Sequence, residues 1–312
     1  MNSRPTGPQP VALSTELRAP ISDVIQRSQS GIIRVEGSKS QGKDDTKVRR
    51  FYAKPVAAVG ILVLFTSVPV HAETVIVSAA ASLTNAFTVL GRMFAAQHKG
   101  VTVRFNFGSS GALEQQIEQG APVDVFASAA VKEMNHLRTE HLIVNATRHN
   151  FATNRLVLIA PPGSPLKTWH QLTTGWVRHV AISDPASVPS GRYARETLLH
   201  KGIWTAVLKK AVLGENVRQT LQYVVDGDAQ AGIVFATDAK IVPHKVKVVR
   251  VAVPGTDHHP IVYPVAVVAA THHPLFAGLF VKFLNSPPAQ AVLKRYGFLS
   301  AIGATSVKNR KR

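Results

Sequence analysis

The chain reads as an α/β protein whose sheets are mainly parallel. Strand-like apolar runs alternate with amphipathic helical patterns through residues 73–300. Three of the strand-to-helix turns also share one design, in which an apolar run enters a small hydroxyl-bearing loop and a helix opens on that loop. They are Ala79-Ala80-Ala81-Ser82-Leu83-Thr84 after a strand at 75–77, Gly108-Ser109-Ser110-Gly111 after 101–107, and Asp184-Pro185 with Val188-Pro189-Ser190-Gly191 after 180–182. The 240 residues from position 73 onward suffice for two lobes with separate cores.

Each element has its own signal. After Ser82, Leu83, Ala86, Phe87, Leu90 and Phe94 recur at helical spacing and mark a buried stripe. Leu113 and Ile117 do the same after Ser110, and Gly120 ends that helix. Residues 123–127 form a short strand, followed by a helix over 130–138. A strand at 156–160 is ended by Pro161-Pro162-Gly163, a helix follows Ser190 as far as 199, and another runs over 215–225 to Asp226-Gly227. Strands are expected at 231–235, 246–253 and 262–270, a helix at 275–284, and a short one after Pro287-Pro288 that ends near Tyr296-Gly297. No repeat or low-complexity tract interrupts residues 73–312.

The first 72 residues read differently. Arg49, Arg50 and Lys54, an apolar run over 56–68 and Val70-His71-Ala72 have the order of a cleavable export signal. The run is 13 residues long, whereas a bilayer-spanning helix needs roughly 20. Cleavage is expected after Ala72. Residues 1–48 are polar and aperiodic, which reads as a disordered lead or as sequence upstream of the true start. The run Arg49-Arg50-Phe51-Tyr52-Ala53-Lys54 loosely resembles a twin-arginine signal, but two arginines near an apolar run are common and the general secretion route is the default. The chain has no cysteine, so neither a disulfide nor a cysteine-linked lipid is available, and the periplasm is the expected location.

Residues 73–312 hold 26 Lys and Arg against 13 Asp and Glu. The cations are scattered singly apart from Lys308, Arg310, Lys311 and Arg312, which is the pattern of a surface that attracts small anions rather than of a nucleic-acid groove. The three serine turns point the same way. A helix start carries unpaired N–H groups and the positive end of the helix dipole, and a serine hydroxyl adds one more donor. The alternative for Ser82, Ser110 and Ser190 is that each is an ordinary N-cap.

These turns, together with Gly120-Ala121-Pro122-Val123-Asp124-Val125-Phe126, Gly232-Ile233-Val234-Phe235, Tyr263-Pro264-Val265-Ala266-Val267-Val268 and Arg295-Tyr296-Gly297-Phe298, resemble the periplasmic molybdate-binding proteins of molybdate ABC transporters, in order and over nearly all of 73–300. The resemblance implies a two-lobed periplasmic binding protein of type II-like fold, each lobe a sheet flanked by helices, with the ligand cleft between them. Lobe one would comprise 73–152 plus 263–312, and lobe two 153–262. It implies capture of molybdate or tungstate without a cofactor, through hydroxyls and N–H groups at Ser82 and Ser110 and N–H groups at Ser190 and Val217. It also implies delivery by a monomer to an inner-membrane permease with its ATPase. Phe235 stands where the family has a tyrosine whose hydroxyl also holds the anion, so one donor is missing here.

Other readings make different demands. A site for phosphate, which is often protonated, would gain from a carboxylate acceptor, and Asp124 and Asp184 are candidates unless they brace loops. Sulfate and thiosulfate remain alternatives because sequence does not reveal cavity size. Gly108-Ser109-Ser110-Gly111 lacks the Gly-x-Ser-x-Gly spacing of a hydrolase elbow, and no triad can be completed around it. His258-His259 and His272-His273 are adjacent pairs without helical metal-ligand spacing, so they read as surface loops.

Overall fold

The computed structural model describes residues 73–301. The segment expected to be an export signal and the basic tail lie outside the described residues. The chain runs β1 (Glu73–Ala80), α1 (Thr84–Gln97), β2 (Val101–Gly108), α2 (Ser110–Glu118), β3 (Val125–Ala127), α3 (Val131–Thr139), β4 (His149–Asn154) and β5 (Leu156–Ala160). It continues through β6 (Val180–Ser183), α4 (Pro189–His200), α5 (Trp204–Leu208), β7 (Ala211–Gly214), α6 (Val217–Val225), β8 (Ala231–Phe235), α7 (Ala236–Lys240) and β9 (Lys247–Val251). It closes with β10 (Ile261–Val267), α8 (Pro274–Phe283), α9 (Pro287–Arg295) and β11 (Leu299–Ser300).

Two sheets result, ordered β11-β4-β10-β3-β1-β2 and β7-β6-β8-β5-β9. The α/β class holds, but both sheets are mixed rather than mainly parallel. β1 pairs in parallel with β2 and β3, and β6 with β7 and β8, because a helix carries the chain back between them. β10 runs antiparallel to β3 and β4, and β5 runs antiparallel to β8 and β9. The cause is the crossing between sheets. β4 and β5 are separated only by Arg155, and the return runs from β9 to β10, so these strands enter their sheets without a helical crossover.

Burial follows the sequence pattern. The stripe Ala86, Phe87, Leu90 and Phe94 of α1 is buried, with Phe94 edge-on to Phe280 of α8 at 5.3 Å between ring centroids. β3 is buried on both faces, as expected of a strand between helical layers. Val125 and Ala127 join the main core, while Phe126 packs with Leu113, Ile117, Met134 and Leu137 under α2 and α3. β4, β7, β11, α5 and α7 carry no clear local pattern in the sequence. β4 is polar at both ends and is stabilised by lying between β10 and β11, a long-range pairing with no local signature.

Candidate functional site

Ser82, Ser110, Ser190, Val217 and Phe235 come together around one small cavity between the two sheets. The cavity is small and set between helix starts and strand ends. An extended solute does not fit.

None of the three serines is the capping side chain of its helix. α2 is capped by Ser109, whose Oγ accepts from Ala112 N at 3.2 Å, and Ser110 is the first helical residue. Val188 and Leu83 occupy the cap positions of α4 and α1, with no side-chain cap bond at either. The serines are therefore available to the cavity. Gly111 N donates to Ser187 O at 3.0 Å and Leu113 N to Ser109 O at 3.0 Å, so in the first turn of α2 the N–H of Ser110 is left over. In α4, Pro189 has no N–H and Gly191 and Arg192 both donate to Val188 O at 3.1 Å, leaving Ser190 N–H. In α6 the side chain of Asn216 accepts from Arg218 N at 2.9 Å and Gln219 N at 3.1 Å, leaving Val217 N–H.

The hydroxyls differ. Ser110 Oγ accepts from Ala129 N at 3.0 Å, so its own proton remains free. Ser190 Oγ lies 2.7 Å from Ser183 Oγ, which lies 2.8 Å from Thr220 Oγ1, which donates to Asn216 O at 3.0 Å. A carbonyl only accepts, so this chain has one direction: Thr220 donates to Asn216, Ser183 to Thr220, and Ser190 to Ser183. The Ser190 proton is committed to the interior. Ser82 Oγ lies 3.0 Å from the hydroxyl of Tyr263, a side chain with no solvent exposure.

Phe235 ends β8 with its ring 6.0 Å from that of Tyr263 and presents no donor. Tyr193 and Thr237, whose hydroxyls could have replaced the missing one, do not line the cavity; Thr237 Oγ1 accepts from Asn154 Nδ2 at 2.9 Å instead. Neither candidate acceptor lines it. Asp124 accepts from Ile76 N at 2.7 Å and from Thr271 Oγ1 at 2.5 Å, and Asp184 accepts from Ala186 N at 2.9 Å, so both brace loops. Among the described residues the lining holds no carboxylate, histidine or lysine. The cavity offers neutral donors and nothing that would move a proton.

The two sides of the cleft touch. A Cβ on Gly111 would lie 2.5 Å from Ser187 O, so only glycine lets these backbones meet. Arg192 of α4 pairs with the buried carboxylate of Glu133 on α3. Arg218 Nη2 donates to Ser82 O at 3.3 Å, and its Nε lies 2.7 Å from Oδ1 of the fully buried Asp238, in poor alignment for a hydrogen bond. Burial pushes the Asp238 carboxyl up to about 6, against the pull of Arg218. Sequence reasoning missed Tyr263, Asn154, Ser183 and Thr220 as contributors, because each acts through a hydrogen-bond chain whose links, apart from Ser183 to Ser190, join residues far apart in sequence.

The histidine pairs do not gather into a cluster. His258 Nδ1 lies 2.7 Å from His259 O, His259 pairs with Glu196 and His273 with Glu73. Glu114, Glu118 and His136 do meet, but on the surface of α2 and α3, where His136 Nδ1 lies 2.9 Å from Glu114 and 2.8 Å from Glu118.

Residues 75–299 match the family described as bacterial extracellular solute-binding protein. The molybdate-binding protein ModA of Haemophilus influenzae is 39% identical over 72% of this chain and 89% of its own length. That of Escherichia coli is also 39% identical, over 71% of this chain and 87% of its own. The solved periplasmic molybdate-binding protein of Azotobacter vinelandii superposes with a TM-score of 0.66 at 27% identity, covering 72% of this chain and 98% of that one. With this likeness along its length and a cleft lined by neutral donors, the chain belongs to the bacterial extracellular solute-binding proteins, a family of carriers rather than enzymes, within the molybdate-binding ModA group.

Proposed function

We propose that this chain captures molybdate or tungstate in the cavity between its sheets and delivers it to the permease of an ABC transporter, working in the periplasm after removal of a signal ending at Ala72. The lining, which gathers hydroxyl and N–H donors and holds no charged acceptor, carries the reading. A tetrahedral dianion that is fully ionised near neutral pH accepts hydrogen bonds and offers none, and the free protons of the Ser110 hydroxyl and of the N–H groups at Ser110, Ser190 and Val217 match it. Neutral donors also keep their character across pH, unlike a histidine.

Donors from both sides let one anion hold the cleft shut, with the Arg155 link and the segment between β9 and β10 as the hinge. The closed form is what a permease would recognise. Phe235 supports a second reading, in which the cavity prefers another tetrahedral oxyanion such as sulfate, thiosulfate or phosphate. A missing charge-assisted hydrogen bond costs about 1.5–3 kcal/mol, at least tenfold in affinity.

Isothermal titration with molybdate, tungstate, sulfate and phosphate separates the readings. One-to-one binding of molybdate and tungstate, with sulfate at least about a hundredfold weaker, a gap of about 2.7 kcal/mol, is the expected result. Binding of sulfate or phosphate with no response to molybdate would replace the first reading by the second.

A further inference from the structure

The hydroxyl of Ser82 stands at the end of a hydrogen-bond chain whose direction the geometry determines. Asn154 Oδ1 accepts from Arg155 N at 2.9 Å, which assigns the other end of the amide as the donor. Asn154 Nδ2 then donates to Thr237 Oγ1 at 2.9 Å and to the Tyr263 hydroxyl at 3.1 Å. Tyr263 has a single proton, and the acceptor within reach is Ser82 Oγ at 3.0 Å. Ser82 therefore receives a hydrogen bond from behind, and its own proton points forward. All three side chains are buried, so no bulk water competes for these bonds, and a buried hydroxyl left without its bond would be costly.

We infer that Tyr263 and Asn154 are positioning residues that set the proton direction of Ser82, so that the cavity presents a donor there and discriminates against anions that carry a proton of their own. The inference rests on the oxyanion reading above. It supplies a selectivity device where the lining itself has no carboxylate acceptor. An anion whose protonated oxygen faces Ser82 meets a second proton there and loses that hydrogen bond.

The reversal is testable with an isosteric change. In Asn154→Asp the carboxylate accepts from Arg155 N and also from Tyr263, whose proton turns away from Ser82. Ser82 must then donate backward to Tyr263 and present lone pairs to the cavity. Tyr263→Phe deletes the partner and leaves Ser82 free to turn either way. Titration of the full chain and both variants compares molybdate, sulfate and, in mildly alkaline buffer, hydrogen phosphate. All three are dianions, so the charge added at position 154 affects them alike and cancels in the ratio.

The preference for molybdate over hydrogen phosphate is expected to shrink about tenfold in Asn154→Asp and about threefold in Tyr263→Phe, the range of one misdirected hydrogen bond. Equal weakening for all three anions in folded variants would overturn the relay and reduce Tyr263 and Asn154 to packing. If one variant fails to fold, the other decides. Sulfate distinguishes the two failures: no molybdate binding by the unsubstituted chain sinks the molybdate reading, yet the relay still predicts a change in the sulfate-to-phosphate ratio. Binding of none of the three overturns both.

Discussion

The two walls of the cleft carry the same residue at the same kind of turn and use it differently. On the wall built from β1, β2 and β3, Ser82 and Ser110 each lie next to a hydrogen-bond donor, Tyr263 or Ala129 N, and keep their protons for the cavity. On the wall built from β6, β7 and β8, Ser190 lies at the head of a chain that ends on a backbone carbonyl, so its proton is drawn inward and its N–H is the donor it offers the cavity. The difference shows that serine at a helix start is not a fixed chemical function. What stands behind the hydroxyl decides whether it donates to a ligand.

The largest effect that would test this contrast is expected on the first wall. Ser110→Ala removes a donor to a charged ligand and strands the Ala129 N–H, so molybdate affinity should fall by about 3 kcal/mol, roughly a hundredfold. Titration calorimetry reads it directly, and a loss under threefold would mean that the free proton of Ser110 does not reach the anion.

The link between the walls has its own signature. Arg218 joins the Ser82 carbonyl to Asp238, whose carboxyl is held at about 6 by burial. An aspartate in the unfolded chain ionises near pH 4, so between the two values the folded state binds the extra proton. The contribution of Asp238 to stability is thus fully present below about pH 4, declines as the pH rises to about 6, and is level above that, a change on the order of 2–3 kcal/mol. Thermal melts of the unsubstituted chain and of Asp238→Asn across this range should diverge with that slope. Parallel curves would contradict the raised value.

Phe235→Tyr should return a donor to the second wall and tighten molybdate binding by about tenfold. A weaker or unchanged affinity would show that the phenylalanine ring suits the anion this cavity prefers. The smallest effect is expected at Ser190→Ala, within about twofold, because its N–H is retained and its hydroxyl proton is given to Ser183. A loss comparable to that of Ser110→Ala would erase the distinction between the walls.

Much of the fold was legible locally. The stripe of α1 and the run of β3 are periodic patterns that any solvent-excluding fold must bury, and they are buried. The mixed pairing of the sheets was not legible, because the direction of β5 and β10 depends on which sheet each joins after the crossing at Arg155. β7 and β11 are too short, at four and two residues, to carry a period.

The sequence by itself determined the kinds of group available to the site: serine hydroxyls and helix-start N–H groups at three turns, an asparagine that leaves Val217 N–H uncapped, and a phenylalanine without a hydroxyl at 235. Those are local properties, set by residue type and by the turn in which it sits. Only the tertiary structure decided which protons face the cavity. Ser82 takes its direction from Tyr263, 181 residues away, and Ser190 from Thr220 on another helix. A hydroxyl proton follows its strongest available acceptor, and where that acceptor lies depends on how distant elements pack.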